Sequence, residues 1–144
     1  MTDYTYITID EVRHVCETLA LPDWTLLKGG KIATADADII RNVVGGEALD
    51  VPLEQFQHGL EIELEHGIEF PDANVINNHP VLTGRIVLAH LKEGLDYYLR
   101  LECMELEMEL DKAIAKQNSD KSVTVRTELA QCRAKLETVI ANTS

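Results

Sequence analysis

From Pro80 to Lys116 the chain reads PVLTGRIVLAHLKEGLDYYLRLECMELEMELDKAIAK, and no cluster of turn-forming residues interrupts it. Pro80 suits the first turn of a helix. Two apolar stripes then recur at helical spacing: Ile86, His90, Gly94, Tyr97, Leu101, Met104 and Met108 form one, and Leu88, Leu91, Leu95 and Leu99 the other. A helix apolar on two sides has neighbours on both, so this segment is predicted as one long central helix over about 80–116. Its later half becomes strongly charged and is expected to project towards solvent or a partner.

The remaining chain supplies shorter helices. Thr8 and Glu11 fit a capping box with Ile7 and Val12 as the staple across it, and Val12, Val15, Cys16 and Leu19 continue at helical spacing until Leu21-Pro22. WTLLKGGKIATADAD reads as a loop, with a short extended piece at Thr25–Leu27; its KGGK lacks the length and the Lys-Ser/Thr end of a phosphate-binding loop. Asp36 or Asp38 then caps IIRNVV, and Gly45-Gly46 stops it. Pro52 starts a helix over 51–66, whose face is Leu53, Phe56, Leu60 and Leu64 and whose end is assigned to Gly67. After a loop rich in Asn and Asp comes the long helix. A break at QNSDKS precedes a last helix, about 121–142, with Val125, Leu129, Cys132, Leu136 and Ile140 on one face. The sum is five helices in an all-α fold: a small helical domain over 1–110, extended by an antiparallel hairpin over 111–144.

Charge and cysteine usage exclude several classes. The formal net charge is −12, and residues 112–144 carry six basic against three acidic residues, which leaves −15 on residues 1–111. An acidic body repels phosphate backbones, so direct nucleic-acid binding is not expected. No apolar run reaches the roughly 20 residues that cross a bilayer. MTDYTYITID has no basic, apolar start of a signal peptide, so the expected location is cytoplasmic, or in a virion. Cys16, Cys103 and Cys132 are odd in number, far apart and without a CxxC pair, so all three are expected as buried or half-buried free thiols.

The candidate chemistry lies in GLEIELEHG, residues 59–67. Its strand-like alternation is the end of an amphipathic helix. The wheel points Glu61 and Glu65 towards solvent and sets Glu63 on the border of the apolar face. Glu63 and His66 form an E-x-x-H pair, and His90-x-x-Glu93 is a reversed partner on the next helix. Glu63, His66, His90 and Glu93 are donors that suit a divalent metal, as in ferritin-like bundles, although such bundles use further glutamates. The favoured alternative is an intramolecular polar network that needs no cofactor, and an acid–base enzyme comes third. His14 and His58 are expected at the surface. The helical glycines Gly59, Gly84 and Gly94 are expected where helices cross closely.

FQHGLEIELEHG followed by TGRIVLAHLKEGLDYYLRLECME resembles an uncharacterised family of small bacterial and bacteriophage proteins, a domain of unknown function. The shared pattern is ELEHG, then TGxIxLAHLxE, then DYYxRLxxME, over about residues 54–105. Asn77-Asn78-His79 stands where that pattern has acidic residues, and the chain beyond residue 110 lies outside it. The resemblance implies a phage or bacterial source and no particular activity. The leading expectation is a non-enzymatic helical interaction protein, a virion component or a binder of a host factor, that meets a protein partner or itself through about 100–144. Metal binding through Glu63, His66, His90 and Glu93 is the second expectation. The third is an acidic inhibitor that mimics nucleic acid towards a host enzyme.

Overall fold

The computed structural model describes residues 6–143. The reading of the N-terminus as free of a leader rests partly on residues 1–5, which lie outside the described residues. Those described are all-helical, with no strand: α1 (Ile9–Thr18), α2 (Thr34–Val44), α3 (Leu53–Glu69), α4 (Pro80–Glu93), α5 (Tyr97–Ala115) and α6 (Ser119–Thr143). Short 3₁₀ turns occupy Trp24–Leu26, Gly46–Asp50 and Pro71–Ala73. No helix is long and apolar enough to cross a membrane among the described residues. The chain divides into two compact regions, one ending at Leu95 and the other starting at Asp96.

In the first region α1 begins as its sequence dictates. Glu11 N donates to Thr8 Oγ1 at 3.1 Å and Thr8 N to Glu11 Oε2 at 2.7 Å, so two otherwise unpaired amides are satisfied together. Val12 and Cys16 point into the core, and burial pushes the Cys16 thiol up. Trp24 is also fully buried; the stretch expected to be extended is instead a 3₁₀ turn capped by Asp23. α2 starts at Thr34, earlier than expected, because TADAD joins the helix and its Ala37 is buried; Asp36 lies in the first turn and no side chain caps Ala33. Gly45, at φ +65°, ends it as expected.

The predicted face of α3 is buried at Phe56, Leu60 and Leu64. Two expectations fail there. Glu61 does not point into solvent: its side chain is only 12% exposed and pairs with Lys31 at 3.5 Å, while Gln57 Nε2 donates to Ile32 O, so the 28–33 loop lies over this flank. Gly67 does not end the helix, which runs to Glu69. α4 crosses the first region with Val87 and Leu91 buried, and a Cβ on Gly84 would lie 2.8 Å from Ile40 Cγ2 and 2.9 Å from Val44 Cγ2. Gly84 is therefore the contact point of α4 on α2, as a helical glycine at a close crossing should be.

The long helix expected over 80–116 is two helices. Gly94 N makes the last α4 bond, to His90 O at 3.3 Å, after which Gly94 is extended at φ −179°, ψ 136°. α5 then starts at Tyr97, and Asp96 Oδ2 accepts from Arg100 Nε at 3.0 Å beside its first turn. Glycine disfavours helix by about 1 kcal/mol and Asp starts helices better than it continues them, so GLD is a natural breaking point. Gly94 thus lies outside any helix.

In the second region Leu99, Cys103, Leu106, Leu110 and Ala113 alternate four and three apart and meet Val125, Leu129, Cys132 and Leu136 of α6. That is the seam of a two-helix coiled coil. Its turn is a Schellman motif: Gln117 is left-handed at φ +56°, Asn118 N donates to Ala113 O and Gln117 N to Ile114 O. Asn118 Oδ1 then accepts from Lys121 N and starts α6. Within the seam Cys103 and Cys132 form a disulfide with Cα atoms 5.7 Å apart, which corrects the expectation of three free thiols; only Cys16 is free. An odd count hides a pair whenever one cysteine is simply core.

Candidate functional site

A cleft of about 450 Å³ opens in the first region, between the end of α3, the 70–78 loop and the start of α4. Helix α3 contributes Glu63, His66 and Gly67, the loop Phe70, Asn74 and Val75, and α4 Thr83 and Ile86. The loop is shaped by its asparagines. Asn77 and Asn78 take left-handed backbones, φ +49° and +61°, which asparagine tolerates better than other non-glycine residues. Asn77 Nδ2 donates to Ile7 O at 2.6 Å and Asn78 Nδ2 to Trp24 O at 3.2 Å, so two amides tie the loop to the N-terminal segment and the 3₁₀ turn. Asn74 Nδ2 donates both to Asn78 Oδ1 at 2.7 Å and to Gly67 O at 3.2 Å.

These contacts explain Gly67. A Cβ there would lie 2.5 Å from Asn78 Oδ1 and 2.8 Å from Asn74 Nδ2. The glycine admits the amide pair against the helix; it is not a cap.

At the cleft Glu63 Oε1 accepts from His90 Nδ1 at 3.1 Å. An ionised carboxylate offers acceptors only, so the proton between them belongs to the imidazole. Both groups are half-buried, the Glu63 side chain at 18% exposure. His66 lines the same cleft from one turn further along α3. Glu93 is exposed near the end of α4 and is not among the lining residues. Of the four candidates the structure therefore joins Glu63 to His90 and sets His66 at the same cleft. No group of three or more His, Cys, Asp or Glu side chains arranged to hold a metal occurs among the described residues. His14 and His58 are exposed.

The asparagines of the cleft were legible only as turn formers, and Phe70 gave no signal at all. Three amides at 74, 77 and 78 between two helices are the pattern that points to a cross-linked loop. Around them the walls are apolar and open to solvent: Phe70 is 52% and Val75 48% exposed, and Ile86 is exposed too. The hydroxyl of Thr83 is engaged with His79 O at 2.8 Å. The arrangement can hold a bound group through Glu63 against apolar walls.

The model of a family described as "Protein of unknown function (DUF5661)" matches residues 12–107. The chain belongs to that family. The matched span begins in α1, well before the ELEHG stretch, and takes in the whole cleft; it ends inside α5, so α6 lies beyond it. No curated protein and no solved structure matches the chain.

Proposed function

We propose that this chain is a non-enzymatic helical interaction protein, phage-associated as a virion component or a binder of a host factor, whose contact surface is the α5–α6 hairpin. The observation that carries this reading is the two-sidedness of α5. Its seam residues face α6, whereas Leu101, Met104 and Met108 stand about 140–200° round the helix from the middle of that seam. Met104 is 46% and Met108 48% exposed. Flexible, polarisable methionines on an open helix face suit an adaptable binding surface.

Charge adds to it: α5 carries five acidic and two basic residues, α6 four basic and three acidic. The Cys103–Cys132 disulfide favours the virion over the host cytoplasm, because disulfides persist in oxidising surroundings and are rare in reducing ones. A photo-crosslinking residue placed at Met108 in the producing cell should capture a discrete adduct, and one at exposed Glu54 should not. Equal capture at both, or none at Met108, would sink the reading. Capsid or tail genes beside its own would separate the virion role from the host-directed one.

Divalent-metal binding by Glu63, His66, His90 and Glu93 is a second reading, favoured only by the Glu63–His90 contact. It requires stoichiometric metal in the purified protein that His90→Ala abolishes.

A further inference from the structure

We infer that the cleft between α3 and α4 binds an organic cation carried on an apolar stem, the chemistry shared by a free alkylammonium and a lysine side chain. This goes beyond the interaction reading, which rests on the hairpin. Size comes first: about 450 Å³ falls within the range of small-ligand pockets. Charge decides the class. With histidine neutral, Glu63 is the only formally charged side chain lining the cleft, and no lysine or arginine lines it.

That carboxylate is mostly withdrawn from water and is oriented by His90, so an opposite charge gains more beside it than at the open surface. The side-chain amide and hydroxyl donors of the cleft are engaged within the protein: Asn74 and Asn78 amides hold each other, Gly67 O and Trp24 O, and the Thr83 hydroxyl holds His79 O. The walls fit the stem, because Phe70, Val75 and Ile86 expose apolar surface at the mouth. At longer range, the sixteen acidic against six basic residues of 1–95, a net −10, raise the local concentration of cations.

Amide spectra of the full chain, titrated with n-butylammonium, 1-butanol and butyrate, test this. Saturable shifts at Gly67, Asn74 and Val75 are expected with the ammonium, with dissociation constants for the other two weaker by about tenfold or more. Glu63→Gln should bring the ammonium down to the level of butanol while the far-ultraviolet circular dichroism is kept. Equal binding of butanol and ammonium to the native chain overturns the proposal without any variant, as does an ammonium response that fails to saturate or survives Glu63→Gln unchanged. Nα-acetyl-lysine N-methylamide supplies the last arm. Tighter binding than n-butylammonium assigns the cation to a protein partner, and weaker binding assigns it to a free amine.

Discussion

Up to Leu95 the chain buries Trp24, Ile40, Phe56, Leu60 and Leu64 almost completely and fastens its loops with asparagine amides; from Asp96 on, the seam buries Cys103, Leu129 and Cys132 and is closed by a covalent bond. Large side chains stacked between several helices can exclude water from every direction. Two helices can hide only one stripe each, so the hairpin lacks apolar area and a cross-link makes up the difference. Its surface ion pairs add little, since Arg133–Glu107 and Lys121–Glu109 are both exposed. The same shortage of partners leaves Met104 and Met108 open.

The sharpest way to break this contrast is to compare core truncations. Phe56→Ala should cost roughly 3–5 kcal/mol, because the ring is fully buried and lies near the crossing at Gly84. Leu129→Ala in the seam should cost less, about 2–3 kcal/mol, since α6 can settle towards solvent. Denaturant unfolding followed by the single tryptophan and by circular dichroism reads both. Equal losses would mean that the hairpin core is as well enclosed as the first region.

Next in size is the disulfide. Closing 29 residues of separation should contribute about 3.5 kcal/mol, so reductant or Cys103→Ser should lower the thermal midpoint of the hairpin. Denatured, unreduced protein should show one titratable thiol, that of Cys16, and three after reduction. Three thiols before reduction would return the chain to the arrangement its cysteine spacing suggests.

Legibility follows the same division. Features written as local chemistry could be read: the Thr8–Glu11 cap, the Phe56–Leu60–Leu64 face, the left-handed stop at Gly45, and the α6 side of the hairpin seam. The α5 side was not, because the stripe read through Tyr97, Leu101, Met104 and Met108 leaves both methionines exposed while Cys103, Leu106 and Leu110 form the seam. The break after Glu93 could not, because three residues outside a helix are close to one turn and leave the apolar stripe nearly in phase. Glu61 misled because a wheel records directions and not which loop folds over them. The cysteine pair was readable in principle, since Cys103 and Cys132 occupy seam positions on two helices expected to be antiparallel. At the site, E-x-x-H spacing located Glu63 and His66, but the asparagine lattice depends on contacts from Ile7 and Trp24, dozens of residues away.

Gly67→Ala tests that lattice, because two effects of known sign oppose each other. Helix propensity favours alanine by about 1 kcal/mol. The added Cβ, however, would meet Asn78 Oδ1 and Asn74 Nδ2, which their own hydrogen bonds prevent from moving aside. A net loss of about 1–2 kcal/mol is expected, with displaced amide signals at Asn74 and Asn78. A stabilised variant would show that the loop yields freely and that the cleft is not preformed.

The smallest effect concerns His79, whose Nδ1 accepts from Leu82 N at 3.2 Å and caps α4. Burial pushes its basicity below the ordinary 6.5, against smaller opposing contributions from a backbone hydrogen bond and from Glu11. In the window between the lowered folded value and 6.5 the unfolded chain binds the extra proton, so stability rises with pH there. It is complete above 6.5 and is lost as pH falls through the folded value, because a protonated ring turns a donor towards the Leu82 amide. Asp23 acts in the same sense at lower pH: the Thr25 hydroxyl first, with Arg13 helping, holds its carboxyl below 3.8, so its share goes only in stronger acid. Unfolding midpoints measured from about pH 7.5 to 5.5 should fall in the native protein, and His79→Asn, which keeps a capping oxygen without titrating, should flatten that slope. An unchanged slope would move the responsibility to the other four histidines and leave the cap of α4 indifferent to pH.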